Sequence, residues 1–396
     1  MEFIERTNPW WYKKEWHEDD KNLKEWSSEK IRWLPDWGNM ISLEPYSLNF
    51  VYGPRQVGKT TGLKLLIKRL MQEKVFDPLS IFYLDLDAVV SLKEFRRLIE
   101  HIISQKKERG LTKVLIFLDE VTSVQEWWKI LKFFIDSGEL DDSSITVLGS
   151  STIGLIKAPE RFPGRTGKGK AVNVMPLNFA QFATVMGHEK REVLYRPNLA
   201  TELWERYKWS GGFPKSINQH SDAKDSLISG VLSEVYRHGK DARIAQEILA
   251  SVIQKIPSPF SNNSVAQDVG YSHVTVREYI AFFCDLLLTG IAYLKRNSQV
   301  LYRKEKKVFF RDPFILRTIS TWTSTPFLES ALPENVVQEH FYRKMGQVYY
   351  YRNHYEVDVV AGDARIEVKA GKPHRTYPKG VTILEENDIP KFLANE

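Results

Sequence analysis

Residues 53–60 read GPRQVGKT, an unbroken match to G-x-x-x-x-G-K-[ST] in which each position has chemistry to offer. Gly53 and Gly58 let the backbone turn tightly and bring several N–H groups onto a polyphosphate, with Pro54, Arg55, Gln56 and Val57 carrying the loop between them. Lys59 adds a point charge near the outer phosphates. Thr60 offers a hydroxyl to Mg²⁺, and Thr61 follows at the start of a helix. A second pattern lies downstream, where residues 113–120 (KVLIFLDE) read as an apolar strand ending in two acids. Asp119 suits the water shell of a magnesium ion and Glu120 suits a general base for an attacking water. Together the two patterns expect ATP or ADP with Mg²⁺, and hydrolysis of ATP.

That chemistry needs elements to hold it. Residues 47–52 (SLNFVY) read as a strand delivering the loop, and residues 60–74 as a helix with apolar Leu63, Leu65, Leu66, Ile67, Leu70 and Met71. The positive N-terminal end of that helix faces the phosphates. Residues 79–84 form a further strand candidate ending at Asp85 and Asp87. A strand inserted between the loop strand and the acidic strand marks the additional-strand class of P-loop ATPases. Residues 145–148 and 172–175 read as the remaining strands. The first of these ends in Gly149-Ser150-Ser151, where Ser150 or Ser151 is either a γ-phosphate sensor or a plain loop serine. Residues 157–170 (KAPERFPGRTGKGK) read as a loop in which Arg165 or Arg161 is either an arginine finger, for its own subunit or a neighbour, or part of a solvated basic surface.

Composition bounds the rest. The 396 residues suffice for two or three domains, and 42% hydrophobic with 27% charged residues is ordinary for a soluble globular chain. No apolar run reaches membrane-spanning length, and the opening MEFIERTNPWW lacks a signal layout, so no membrane and a cytoplasmic setting are expected. Cys284 is the only cysteine, which excludes an internal disulfide and a cysteine zinc cluster. A net charge of +6 is compatible with nucleic acid without requiring it. Ahead of the loop stand Trp10, Trp11, Trp16, Trp26, Trp33 and Trp37, interleaved with as many acids as bases. That balance favours packing anchors over a stacking platform for bases.

Residues 203–233 read as helical with a break at GGFP. Helices at 244–255, 264–268 and 274–288 follow, with a turn at 270–272, and strands at 291–295, 300–303 and 307–310 complete a winged helix–turn–helix pattern. In a DNA reader the second helix leads with Ser272, His273, Thr275 and Arg277. The wing offers Lys295, Arg296, Arg303, Lys304, Lys306 and Lys307 to phosphates. The alternative is an interaction module or an ATPase lid without nucleic acid. In the tail, residues 333–343 read as a helix and 347–352, 357–362 and 365–369 as strands. Asp358, then Glu367 and Lys369 on one face of the next strand, have the layout of PD-(D/E)XK nucleases, with Glu334 as an additional acid. A solvated hairpin could supply the same residues. The stretch between Lys369 and Val381 is too short for the helix that normally follows, so the tail looks trimmed and suited to binding without cutting.

The chain resembles the prokaryotic, especially archaeal, AAA-type ATPases that carry a C-terminal winged helix and a restriction-endonuclease-like tail. The matching residues are NPWW (8–11), GPRQVGKTT (53–61), FLDE (117–120), GSS (149–151), PGRT (163–166), VMPLNFAQF (174–182), GGFP (211–214), EVD (356–358) and EVK (367–369). The resemblance implies ATP binding, hydrolysis and a DNA-related role, with Gly212-Phe213-Pro214 as the helical-domain contact to nucleotide and Pro214 at its end. The expected fold is α/β. A parallel P-loop sheet of AAA+/STAND-like type (46–185) follows a Trp-rich segment (1–45). A helical extension (186–240), a winged helix–turn–helix (241–325) and a small α+β PD-(D/E)XK-like domain (326–396) come after it. DNA is the expected partner, and self-association is left open. The competing expectation is a nucleotide-gated scaffold that binds other proteins and carries an inactive nuclease-like tail.

Overall fold

The computed structural model describes residues 2–149, 152–296, 299–369 and 377–395, which divide into two units, Met1–Met175 and Pro176–Glu396. The first is built on strands β1 (Ser47–Tyr52), β2 (Ile81–Asp85), β3 (Val114–Asp119), β4 (Ser143–Gly149) and β5 (Ala171–Asn173). They pair in the order β2-β3-β4-β1-β5, every pair parallel. The strands are continuous apolar runs because both faces of the sheet are covered. Alternation sends Phe50, Phe82, Leu84, Ile116 and Leu118 to one face, against the helices Leu92–Glu108 and Trp127–Asp136. Val51, Ile81, Tyr83, Leu115 and Phe117 face the helix Lys59–Gln72. One expectation needs correcting here. The strand that separates β1 from β3 in space is β4, whereas residues 81–84 belong to β2, which lies at the edge.

That edge is covered by the chain's own beginning. Asn8 is fully buried; its amide nitrogen donates to Tyr83 O at 2.9 Å and its oxygen accepts from Tyr83 N at 2.6 Å. One side chain thereby completes both main-chain groups of an edge residue, as a neighbouring strand would. The indoles of Trp10 and Trp11 both donate to Ile81 O, at 3.1 and 3.0 Å. Trp10, Trp16 and Trp37 are buried in the same cluster as the apolar side of the helix Lys59–Gln72.

The second unit stacks the helices Pro197–Ser210, Ala223–Arg237, Ala242–Lys255, Asn262–Val269 and His273–Asp285 ahead of a sheet. Its strands are β6 (Thr289–Arg296), β7 (Gln299–Val300), β8 (Lys306–Phe310), β9 (Val348–Arg352), β10 (Glu356–Ala361), β11 (Ala364–Lys369) and β12 (Thr382–Glu385). The order is β12-β11-β10-β9-β6-β7, with β8 also on β6. Because β6 pairs with β8 antiparallel and with β9 parallel, residues on either side of position 325 share one sheet. The helix Ala331–Met345 lies between β8 and β9 in sequence.

Asp312 caps the helix Pro313–Thr323, accepting from Phe314 N at 2.7 Å and from Gly212 N at 2.8 Å. Burial lifts its carboxyl to about 7, against the pull of those two donors. A carboxyl raised in the folded chain contributes stability below its unfolded value of 3.8, and that contribution is lost as pH climbs through about 7. Asp312→Asn keeps one of the two acceptor oxygens, a loss that does not vary with pH, and is neutral at every pH. Its melting temperature relative to the parent is therefore expected to rise between pH 5 and 8, by about 2–4 °C per kcal/mol of penalty relieved. Melts across that range check the slope; parallel curves would remove the assignment.

Candidate functional site

The phosphate-type loop leaves β1 at Tyr52, and close backbone contacts shape it. Val174 N donates to Tyr52 O at 2.7 Å, and a Cβ on Gly53 would stand 2.0 Å from Val174 O, so only glycine lets the two backbones meet there. Gly58 sits in the left-handed region at φ 92° and turns the chain into the helix Lys59–Gln72. Lys59 is buried, its ammonium donating to Gly53 O at 2.8 Å and Pro54 O at 2.9 Å, so the charge is stored against the loop's own carbonyls. Arg55, Gln56, Thr60 and Thr61 are half-buried along the same loop, while Pro54 and Val57 are buried.

The start of the helix Lys59–Gln72, the middle of β2 and the end of β3 converge on one carboxylate. Thr60 Oγ1 donates to Asp119 Oδ2 at 2.7 Å, the Tyr83 hydroxyl donates to the same oxygen at 3.2 Å, and Glu120 N donates to Asp119 Oδ1 at 3.0 Å. Burial lifts the Asp119 carboxyl to about 6, the Glu120 charge adds to the rise, and the Thr60 hydroxyl opposes it. Glu120 is held at φ 49°, a left-handed conformation that costs a non-glycine residue about 1 kcal/mol or more. A hydroxyl and a carboxylate in contact are hard oxygen donors of the kind Mg²⁺ takes, so the residues present fit a magnesium nucleotide.

Tyr83 was not among the residues singled out from the sequence. Its signal was available: it is the tyrosine of the run IFYLD, paired in register with Phe117, two residues before the pair Asp85 and Asp119. The Lys64 ammonium lies over its ring at 3.7 Å and 3.6 Å from Asp20, with Trp10 5.5 Å away. Burial lowers Lys64 below its usual value, with Asp20 and then Asp119 pulling it back. The tryptophan-rich segment therefore reaches the metal-type carboxylate through two side chains.

The other expected residues fall in different places. Arg165 donates through Nε and Nη2 to Asp136, at 2.6 and 3.1 Å, and the neighbouring Thr166 O accepts from Leu48 N at 3.0 Å. That is the beginning of β1, whereas the loop leaves its far end. A strand of this length spans about 20 Å, beyond an arginine's reach, so Arg165 does not serve the loop of its own chain. Arg161 lies over the Trp128 ring at 3.8 Å. Ser150 and Ser151 lie outside the described residues. Pro214 starts a short helix in the second unit, after Phe213, whose ring packs on Phe314 with centroids 5.5 Å apart.

Ser272 caps the helix His273–Asp285 by accepting from Thr275 N at 3.0 Å. Ser272, His273 and Arg277 are exposed and Thr275 is half-buried, while Val276, Tyr279, Ile280 and Phe283 hold the other face. Arg303 and Lys304 are exposed. Lys306 and Lys307 are not, which corrects their expected place on a phosphate-facing surface. Lys306 donates to the Asn262 side chain, and burial lowers its pKa; Lys307 lies among carboxylates. In the tail, Glu334 and Asp358 meet around that lysine. Glu367 pairs with Lys369 and accepts from Tyr377 at 3.0 Å. Among the described residues no group of three or more histidine, cysteine, aspartate and glutamate side chains is arranged to hold a metal.

The five-stranded parallel sheet, its loop and its acidic strand end define a P-loop NTPase fold. Residues 46–183 match the family model described as an AAA domain, which makes this segment AAA-type, and residues 201–325 match a domain of unknown function. The chain is 23% identical over 278 residues to an uncharacterized protein of Haemophilus influenzae, covering 64% of this chain and 66% of that one. It is 24% identical over 291 residues to the uncharacterized protein MJ1544 of Methanocaldococcus jannaschii, covering 67% of this chain and 61% of that one. Each match spans less than two thirds of the relative's own length. Among solved structures, the ORC2 protein of Aeropyrum pernix, in ADPNP–ADP complexes, is 12% identical, with a TM-score of 0.40 over 71% of this chain and 89% of that one. Among the described residues no helix is long and apolar enough to cross a membrane.

Proposed function

We propose that residues 53–61, with Asp119 and Glu120, bind magnesium–ATP and hydrolyse it, and that nucleotide state governs DNA binding by the second unit. The observation that carries the first half is the Thr60–Asp119 contact at 2.7 Å beneath the left-handed Glu120. The loop N–H groups cradle phosphate oxygens, and Lys59 leaves the Gly53 and Pro54 carbonyls for the outer phosphates. Thr60 and Asp119 would hold the metal, which when bound would neutralise charge on the triphosphate. Glu120 takes the proton of the attacking water. Tyr83 orients the Asp119 oxygen that the metal uses. Tyr83→Phe keeps the ring under Lys64 and removes only the donor, so the Mg²⁺ concentration for half-maximal turnover is expected to rise about tenfold while the fold is retained. A magnesium titration of ATPase rate checks it; an unchanged midpoint would leave Tyr83 as packing.

The second half is supported by the order helix Asn262–Val269, turn, helix His273–Asp285 and hairpin β6 to β8, an order compatible with a winged helix–turn–helix. Exposed His273 and Arg277 lead its second helix, and exposed Arg303 and Lys304 follow β7. Double replacement of Arg303 and Lys304 by alanine is expected to reduce the salt slope of DNA binding by about 2. ATPase rate with and without single-stranded, duplex and branched DNA tests the coupling. A parent protein with no turnover under any of these conditions would end the proposal. The inward-facing Lys306 and Lys307 favour a second reading, a scaffold that binds protein through this unit, and no DNA binding at low salt would select it.

A further inference from the structure

All five residues of β8 are buried, although the strand begins with two lysines. The side chain of Lys307 is 3% exposed, and its ammonium stands 2.8 Å from Glu334 Oε1, 2.8 Å from Glu356 Oε1 and 2.6 Å from Asp358 Oδ1. Two of its N–H donors bond Glu334 and Asp358, and the Glu356 carboxylate lies at ion-pair distance beside them. The Tyr350 ring flanks it at 5.7 Å.

The acids are engaged in other directions as well. Asp358 Oδ2 accepts from Val368 N at 2.9 Å, and Gln338 Nε2 donates to Glu334 Oε1 at 2.9 Å and to Asp358 O at 3.3 Å. The next acid, Glu367, is buried and spends one oxygen on Lys369 and Tyr377, while its other oxygen is buried without a hydrogen-bond partner. Burial lifts Glu334 to about 8, the Asp358 charge adds to that, and Lys307 opposes it.

Buried carboxylates this close repel, and a buried ammonium alone would cost several kcal/mol, so each side of the arrangement requires the other. Magnesium needs about six oxygens at roughly 2.0–2.1 Å with water among them. Here the oxygens of Glu334 and Asp358 that the nuclease layout would give to a metal already close on a fixed nitrogen.

We propose that Lys307 is a built-in cation that occupies this carboxylate nest in place of a divalent metal, so that the tail is metal-free and non-cleaving and becomes a metal site only when the lysine is removed. The same contact fastens β8 to β10 and to the helix Ala331–Met345, giving the acids a structural task that needs no substrate.

Manganese binding, counted by paramagnetic resonance on the nucleotide-free full chain, tests this. The parent and Asp358→Asn are expected to bind equal numbers of Mn²⁺ ions. Lys307→Met is expected to bind one more per chain than the parent, and Lys307→Met/Asp358→Asn to lose that ion. A parent that binds an ion missing from Asp358→Asn would overturn the proposal, as would a folded Lys307→Met that gains none. If Lys307→Met does not fold, the comparison of the parent with Asp358→Asn decides alone.

Discussion

Lys59→Ala is expected to lower ATP turnover by about 10²–10³-fold, the cost of removing one preorganised donor from developing phosphate charge. In the structure that ammonium rests on the Gly53 and Pro54 carbonyls, inside the loop. Losing it strips the only lysine charge of the loop while leaving its turn to Gly58 and the Val174 contact intact. The variant should keep the parent's circular dichroism, while losing about 1–3 kcal/mol of stability for each of the two buried carbonyls left without its donor. Glu120→Gln supplies the contrast. It should still take up ATP, since Glu120 N rather than its carboxyl supports Asp119, while turnover falls by about 10²–10⁴-fold for want of a base. Steady-state rates and a nucleotide titration on both variants separate binding from chemistry. Turnover at the parent rate in Lys59→Ala would place the phosphate site elsewhere in the chain.

The second large effect is on stability. Asn8→Ala deletes the hydrogen bonds that close Tyr83 N and Tyr83 O, as well as one to Ile4 O at 2.7 Å, all in a fully buried position. Tyr83 N is left without an acceptor, while the Thr7 hydroxyl still reaches Tyr83 O and Ile4 O at 3.1 Å; one orphaned buried group costs about 1–3 kcal/mol, and a loss of that size is expected. Denaturant unfolding measures it, and light scattering on warming should rise earlier than for the parent, because the bared edge of β2 can pair with another copy. A loss below about 0.5 kcal/mol, the range of ordinary surface changes, would mean that Asn8 does not seal the edge.

How much of this was readable beforehand depends on how local each feature is. The phosphate-type loop was legible because its spacing encodes one short turn, and the five parallel strands because a strand covered on both faces is written as an apolar run. Spatial order was not legible: nothing in residues 79–84 says that they form an edge, and the separating strand β4 comes later in the chain. Arg165 looked available because a basic loop looks the same wherever it is anchored. The long-range bond between Leu48 N and Thr166 O shows it returning to the beginning of β1, away from the phosphate-type loop. Lys306 and Lys307 misled for a related reason. Adjacent residues of a strand point to opposite faces, and the sequence supplied their charge without showing that Asn262 waits on one side and three acids on the other. Tyr83 and Asn8 act through partners 36 and 75 positions away, a separation at which no periodicity carries information.

The pairing of β6 with β9, Ala292 opposite Val348 and Leu294 opposite Tyr350, has a practical side for anyone dissecting this molecule. A cut near position 325 looks like a linker in the primary structure, yet it would unzip a parallel ladder and leave two fragments, each with a raw margin of unpaired amides and carbonyls. Such fragments would stick to themselves in the expression host, and their insolubility would say nothing about the health of the intact polypeptide. Useful truncations of the C-terminal half must keep both banks of that ladder on one chain.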